Sequence, residues 1–154
     1  MILIEDSRNK IGKHNNIFNY CIKNDIVIER RVLNVGDYML PQGTIAVDTK
    51  QSISELASDL YLDKLAFNKK YKKCLKDGIK LVVLVEEEVA SLEDLRKWKS
   101  SHSRLNGSIL LEMIHTIKVS YGVRFVFCSP KKTAQTLLSI LQGENDDEKR
   151  ETDN

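Results

Sequence analysis

The 154 residues hold 24 basic and 22 acidic side chains, with 42% hydrophobic and 30% charged residues, which describes one globular domain with room for a three-layer core and not for two. No apolar run approaches membrane length, and the opening Met1-Ile2-Leu3-Ile4-Glu5-Asp6 lacks the flanks of a signal peptide, so a cytoplasmic address and no membrane partner are expected. The net charge of +2 hides a division: residues 144–154 hold six acids and two bases, leaving 22 bases against 16 acids, or +6, for a body suited to polyanions.

In chain order, Ile2 to Glu5 reads as a strand that sets Asp6 at its end, and Lys10 to Lys23 as a helix with Ile17, Tyr20 and Cys21 on one face. Ile26 to Leu33 alternates as a second strand, with Ile28 and Arg30 on one side and Glu29 and Arg31 on the other. Residues 36–40 and 45–50 form a hairpin across Pro41-Gln42-Gly43. Ser52-Ile53-Ser54-Glu55 is a capping box that opens a helical region running to Asp77-Gly78, broken near residues 61–63. Its second half, Lys64 to Lys76, is the most basic segment of the chain.

Ile79 to Val85 is an apolar run suited to a central strand covered on both faces, and it ends in Glu86-Glu87-Glu88. A short helix over Leu92 to Trp98, a polar basic loop over 100–107, a helix over Ile109 to Val119, a strand over Val123 to Cys128 and a helix over Thr133 to Leu141 complete the domain. Residues 1–142 form one unit and 143–154 a disordered acidic tail. Cys21, Cys74 and Cys128 lack metal or disulfide spacing and read as packing thiols, and His14 and His115 show no ligand spacing.

The chemistry concentrates in the hairpin, which brings Asp37, Asp48 and Lys50 together. Asp48 and Lys50 are two apart on one strand, so they share a face with Ala46. Two carboxylates beside an ammonium are costly to bury unless a cation sits between the carboxylates, which points to a divalent metal. The bland alternative is a pair of strand-end carboxylates with a surface lysine.

The pattern is that of restriction-endonuclease-like phosphodiesterases, and four blocks together resemble the excision-repair XPF-type nuclease domain. They are Glu5-Asp6-Ser7-Arg8, Val35-Gly36-Asp37-Tyr38-Met39-Leu40, Val47-Asp48-Thr49-Lys50 and Ser52-Ile53-Ser54-Glu55-Leu56. The family has the order V-D-x-R-E, G-D-Y, E-R-K and S-I-x-D-L; here Asp48 replaces a Glu, Thr49 the Arg and Asn9 the final Glu, and Gln51 is an extra residue.

That resemblance implies an α/β restriction-endonuclease-like fold, a mixed central sheet with helices on both faces. It implies a Mg²⁺-dependent nuclease, with Mn²⁺ as the alternative ion, acting on flaps, forks or junctions in DNA, and an address in the nucleoid or nucleus where the DNA lies. A compact stand-alone form resembles phage-like or prophage-like recombination proteins. Asp37 and Asp48 would hold the ion with the Thr49 carbonyl and Asp6, and Lys50 would steady the attacking water or the phosphate. Arg8 would sit at the rim, and Lys64 and Asn68, a cation and an amide four apart, would face phosphate.

Glu29 is either a further carboxylate or a strand residue paired with an Arg, Glu55 a cap or an outer-shell group, and Glu86 an outer-shell group or an acidic connection. A homodimer through the last two helices would enlarge the footprint on DNA. The rival from another class is a non-catalytic DNA-binding or scaffold partner of the same fold, since the family includes such members.

Overall fold

The computed structural model describes residues 1–100 and 104–143, so the acidic tail beyond Gly143 and the middle of the basic loop lie outside the described residues. The strands are β1 (Ile2–Asp6), β2 (Val27–Arg31), β3 (Tyr38–Met39), β4 (Ile45–Lys50), β5 (Lys80–Val85) and β6 (Arg124–Phe127). The helices are α1 (Asn15–Lys23), α2 (Ile53–Leu62), α3 (Lys64–Asp77), α4 (Gly107–Tyr121) and α5 (Thr133–Leu141). A 3₁₀ helix over Leu92–Lys97 precedes α4.

The six strands form one sheet in the order β2-β1-β3-β4-β5-β6. Parallel pairing joins β1 to β2, β4 to β5 and β5 to β6, while β3 runs against both of its neighbours. Five strands therefore end on the same edge of the sheet, the edge at which open α/β sheets build their sites. This is the mixed, helix-flanked sheet expected from the sequence.

Alternation along the strands sends side chains to two separate cores. Tyr38, Val47, Val82 and Leu84 pack with Leu3, Ile17, Cys21 and Leu137 under α1 and α5. Ala46, Leu81, Val83 and Val85 pack with Leu56, Leu60, Tyr71 and Ile114 under α2, α3 and α4. Each large side chain so buried contributes roughly 1.5–3 kcal/mol. Burial raises the pKa of Cys21, Cys74 and Cys128, and all three are free and buried, which keeps them inert packing thiols.

Two helix starts differ from the sequence reading. Helix α1 begins at Asn15 rather than Lys10, because Gly12 takes φ +89° and Lys13 N–H turns back to the Lys10 carbonyl at 3.1 Å, so residues 11–14 form a turn. Helix α4 begins at Gly107 rather than Ile109, because the Asn106 side chain accepts from Ile109 N–H at 3.0 Å and caps it. The expected break near residues 61–63 is real: Asp63 separates α2 from α3.

Candidate active site

The site grows from the turn into β3. Gly36 has φ +77°, and a Cβ there would stand 3.0 Å from the carbonyl oxygen of Val47, so only glycine lets the chain pass this close to β4. Asp37 follows directly. Its backbone N–H bonds Val47 O at 2.8 Å, and its carboxylate Oδ2 accepts from the N–H of Thr49 at 2.9 Å and from the Thr49 hydroxyl at 2.7 Å. Asp37 is thus held against the residue between Asp48 and Lys50.

Asp48 and Lys50 leave β4 on the Ala46 side, and both are buried. Lys70 of α3 donates to Asp48 Oδ2 at 2.6 Å, and Lys50 donates to Asp59 Oδ2 of α2 at 2.6 Å. Both ammonium groups also lie over the Phe67 ring, at 5.1 Å for Lys50 and 4.9 Å for Lys70. Burial alone would lower the Lys50 pKa, but the charges of Asp48 and Asp59 outweigh it and keep the ammonium above its ordinary value. Lys50 is a fixed positive charge. A hollow of about 190 Å³ opens beside it, lined by Asp59, Asp63, Phe67 and Lys70.

The remaining expected residues divide. Asp6 is buried at the same sheet edge, where its carboxylate takes Leu33 N–H at 3.1 Å and Arg8 Nε at 3.0 Å. The Arg8 side chain is 62% exposed. Glu29 sits on edge strand β2, with β1 and β3 between it and β4, and pairs with Arg31. Glu55 Oε2 accepts from Gln51 N–H at 3.0 Å while Ser52 Oγ accepts from Glu55 N–H at 3.1 Å, a cap shifted by one residue. Glu86 accepts from Asn16 at 2.7 Å and ties α1 to the end of β5. Lys64 and Asn68 line a different cavity, between α3 and α4.

Residues that the sequence reading passed over complete the picture. Lys70 and Phe67 belong to the stripe Phe67, Lys70, Tyr71, Cys74, whose helical spacing was there to be read; Lys69 and Lys73 fall outside it and are exposed. Asp59 follows Glu55 by one turn on the same helix face. His14 is buried, with Nε2 at 3.4 Å from Thr49 Oγ1 and its ring edge-on to Tyr38 at 5.6 Å. Burial lowers its pKa and favours the neutral imidazole. Tyr38 donates in turn to Glu5 at 2.6 Å, and burial together with this bond raises the phenol pKa well above its ordinary value.

Asp37 and Asp48 offer only oxygen donors, the chemistry that suits Mg²⁺ or Mn²⁺. Among the described residues no cluster of three or more His, Cys, Asp or Glu side chains could hold a metal ion. Asp37 and Asp48, now turned to Thr49 and Lys70, would be two carboxylates for Mg²⁺, which keeps waters and substrate phosphate oxygens in its other positions. Lys70 would compete for the same carboxylate. Lys70→Met is expected to tighten Mg²⁺ binding about tenfold by titration calorimetry, because removing a neighbouring positive charge favours a cation by at least ~1.4 kcal/mol. Unchanged affinity would mean that Asp48 does not meet the ion.

An α/β domain with an Asp, Asp and Lys constellation at the carboxyl edge of its central strands is the class this geometry defines. Its fold is one that XPF shares. The structure is similar to XPF from Aeropyrum pernix, with a TM-score of 0.67 and 19% identity over 97% of this chain and 69% of that one. It is similar to the same protein in complex with DNA, with a TM-score of 0.67 and 19% identity over 94% of this chain and 65% of that one. No family model and no curated protein matches the sequence. Among the described residues no helix is long and apolar enough to cross a membrane.

Proposed function

We propose that this protein is a Mg²⁺-dependent, structure-selective DNA endonuclease that hydrolyses phosphodiester bonds in flaps, forks or junctions. The observation that carries the reading is the placement of Asp48 and Lys50, both buried at the end of β4, with Asp37 clamped to the Thr49 between them. Asp37 and Asp48 would hold the ion with the Thr49 carbonyl, helped by Asp6 once it turns from Arg8 and Leu33 N–H. When bound, the ion supplies Lewis-acid stabilisation of charge at the phosphate and a lowered pKa for water.

The chain's own residues supply the rest. Two donors from Thr49 hold the Asp37 carboxylate in one orientation. Lys50, always charged and confined between Asp48, Asp59 and Phe67, offsets negative charge as it develops on the phosphate. Lys70, on turning from Asp48, offers a second cation to the DNA backbone, and Arg8 a third at the rim.

Incubating labelled flap, fork, junction and linear duplex DNA with and without Mg²⁺ tests the proposal. Cleavage of branched DNA only with the ion supports it, and cleavage of linear duplex at the same rate would overturn its selectivity. One observation favours a DNA-binding partner without catalysis: Asp48 and Lys50 are each already paired, with Lys70 and Asp59. Binding to DNA with no cleavage at any Mg²⁺ or Mn²⁺ concentration would identify that alternative.

DNA contact is read as charge and shape. Lys69 and Lys73 are exposed one turn apart on α3, so Lys69→Glu with Lys73→Glu is expected to weaken binding to all DNAs alike, at least tenfold at low salt. The slope of affinity against salt should fall by about one for each phosphate that the variant no longer neutralises. Weakening confined to one base sequence would reject this. A homodimer would rest on α4, where Val119 is 86% and Ile109 41% exposed, since α5 buries its apolar residues in its own core. Sedimentation with and without DNA measures it.

A further inference from the structure

We infer that the cavity between α3 and α4 is a binding site for an unpaired nucleobase next to the scissile phosphate. The inference rests on the nuclease reading and deepens it, because it names what part of a branched substrate is recognised and where.

The cavity measures about 320 Å³, the small end of the roughly 300–1,000 Å³ range of ligand pockets, and thus the size of a base with part of its sugar. Three aromatic rings line it in series: Phe67 lies 5.8 Å from Tyr71, and Tyr71 lies 5.5 Å from Tyr121. Phe67 and Tyr121 are half-buried and keep ring surface available for stacking, while Tyr71 is 1% exposed and forms the floor. The Tyr71 hydroxyl is buried without a hydrogen-bond partner among the described residues. A buried orphan of this kind calls for an acceptor or donor from a ligand or a water.

The cavity also carries groups that read a base edge. Asn68 offers an amide, Thr116 and Ser120 offer hydroxyls, and Glu112 offers a carboxylate that accepts from the exocyclic amino group of adenine, cytosine or guanine. Lys64 adds a charge for the adjoining phosphate. The site continues into the catalytic one through a single wall. The Phe67 ring that lines the cavity is the ring under Lys50 and Lys70, so a nucleotide whose base enters the cavity presents its phosphate toward those two ammonium groups. A base still paired in a duplex cannot enter, which would make an unpaired nucleotide at a branch part of the substrate.

The test is a thermodynamic cycle on binding, read in the Asp48→Asn background so that no cleavage intervenes. Affinity is measured for a fork whose first unpaired nucleotide carries a base and for the same fork with an abasic site there. Both are measured with the parent and with a Thr116→Leu/Ser120→Leu variant, which fills the cavity from two exposed positions and should fold. The base should strengthen parent binding about tenfold or more, as stacking of one base does. Filling the cavity should remove that gain and leave abasic DNA unaffected, so the two losses do not add. Equal affinity for base-bearing and abasic forks, or losses that add, would overturn the cavity assignment while leaving the nuclease reading intact. No binding of any DNA by the parent would overturn both.

Discussion

Asp48→Asn and Asp37→Asn are each expected to lower Mg²⁺-dependent cleavage by about a thousandfold or more while DNA binding stays within a few-fold of the parent. Coordination of a hard cation depends on full carboxylate charge, and the several kcal/mol that a bound ion supplies correspond to this factor. The amides preserve the fold for separate reasons. Asn at 37 still offers an oxygen to Thr49 N–H, which donates to Asp37 Oδ2 at 2.9 Å. Asn at 48 loses its ion pair with Lys70, but the Lys70 side chain is 31% exposed and can turn to water. Single-turnover cleavage with fork DNA and a parallel binding titration measure both effects, and parent-like rates from both variants would sink the metal assignment.

Gly107→Ala is expected to destabilise the domain by roughly 3 kcal/mol or more. A Cβ at this position would stand 1.8 Å from the carbonyl oxygen of Leu95 and 2.7 Å from the carbonyl carbon of Arg96. These are backbone atoms and cannot rotate away. Gly107 N–H also bonds Trp98 O at 2.7 Å, so the start of α4 is pressed against the 3₁₀ helix as a close backbone-to-backbone contact. Denaturant unfolding of the variant should show a lower midpoint with an unchanged slope. A stability within 1 kcal/mol of the parent would show that α4 can shift at no cost.

Much of this protein was determined by its sequence alone. The apolar run of β5, the alternation of β4 and the Ser52 cap each set local structure through short-range chemistry, and the element order follows from them. The pairing of Asp48 with Lys50 on one face needs nothing beyond the two-residue period of a strand. Asp37 beside Thr49 needs only the hairpin and Gly36.

What tertiary structure decided are the contacts made by groups far apart in sequence. The stretch from Lys10 to His14 is a turn with Gly12 at φ +89°, and Arg30, from another strand, fixes the loop before it through the carbonyls of Ser7 and Asn9. The Asn106 cap that starts α4 is local, and what tertiary structure adds is the close approach of Leu95, which leaves no room for a side chain at Gly107. Spacing along α3 offered six lysines to the site, and the packing of Phe67, Tyr71 and Cys74 against the sheet chose Lys70 for Asp48 and turned Lys64 and Asn68 toward α4. A helix lists its faces in its sequence, but which face meets a carboxylate depends on where the helix docks.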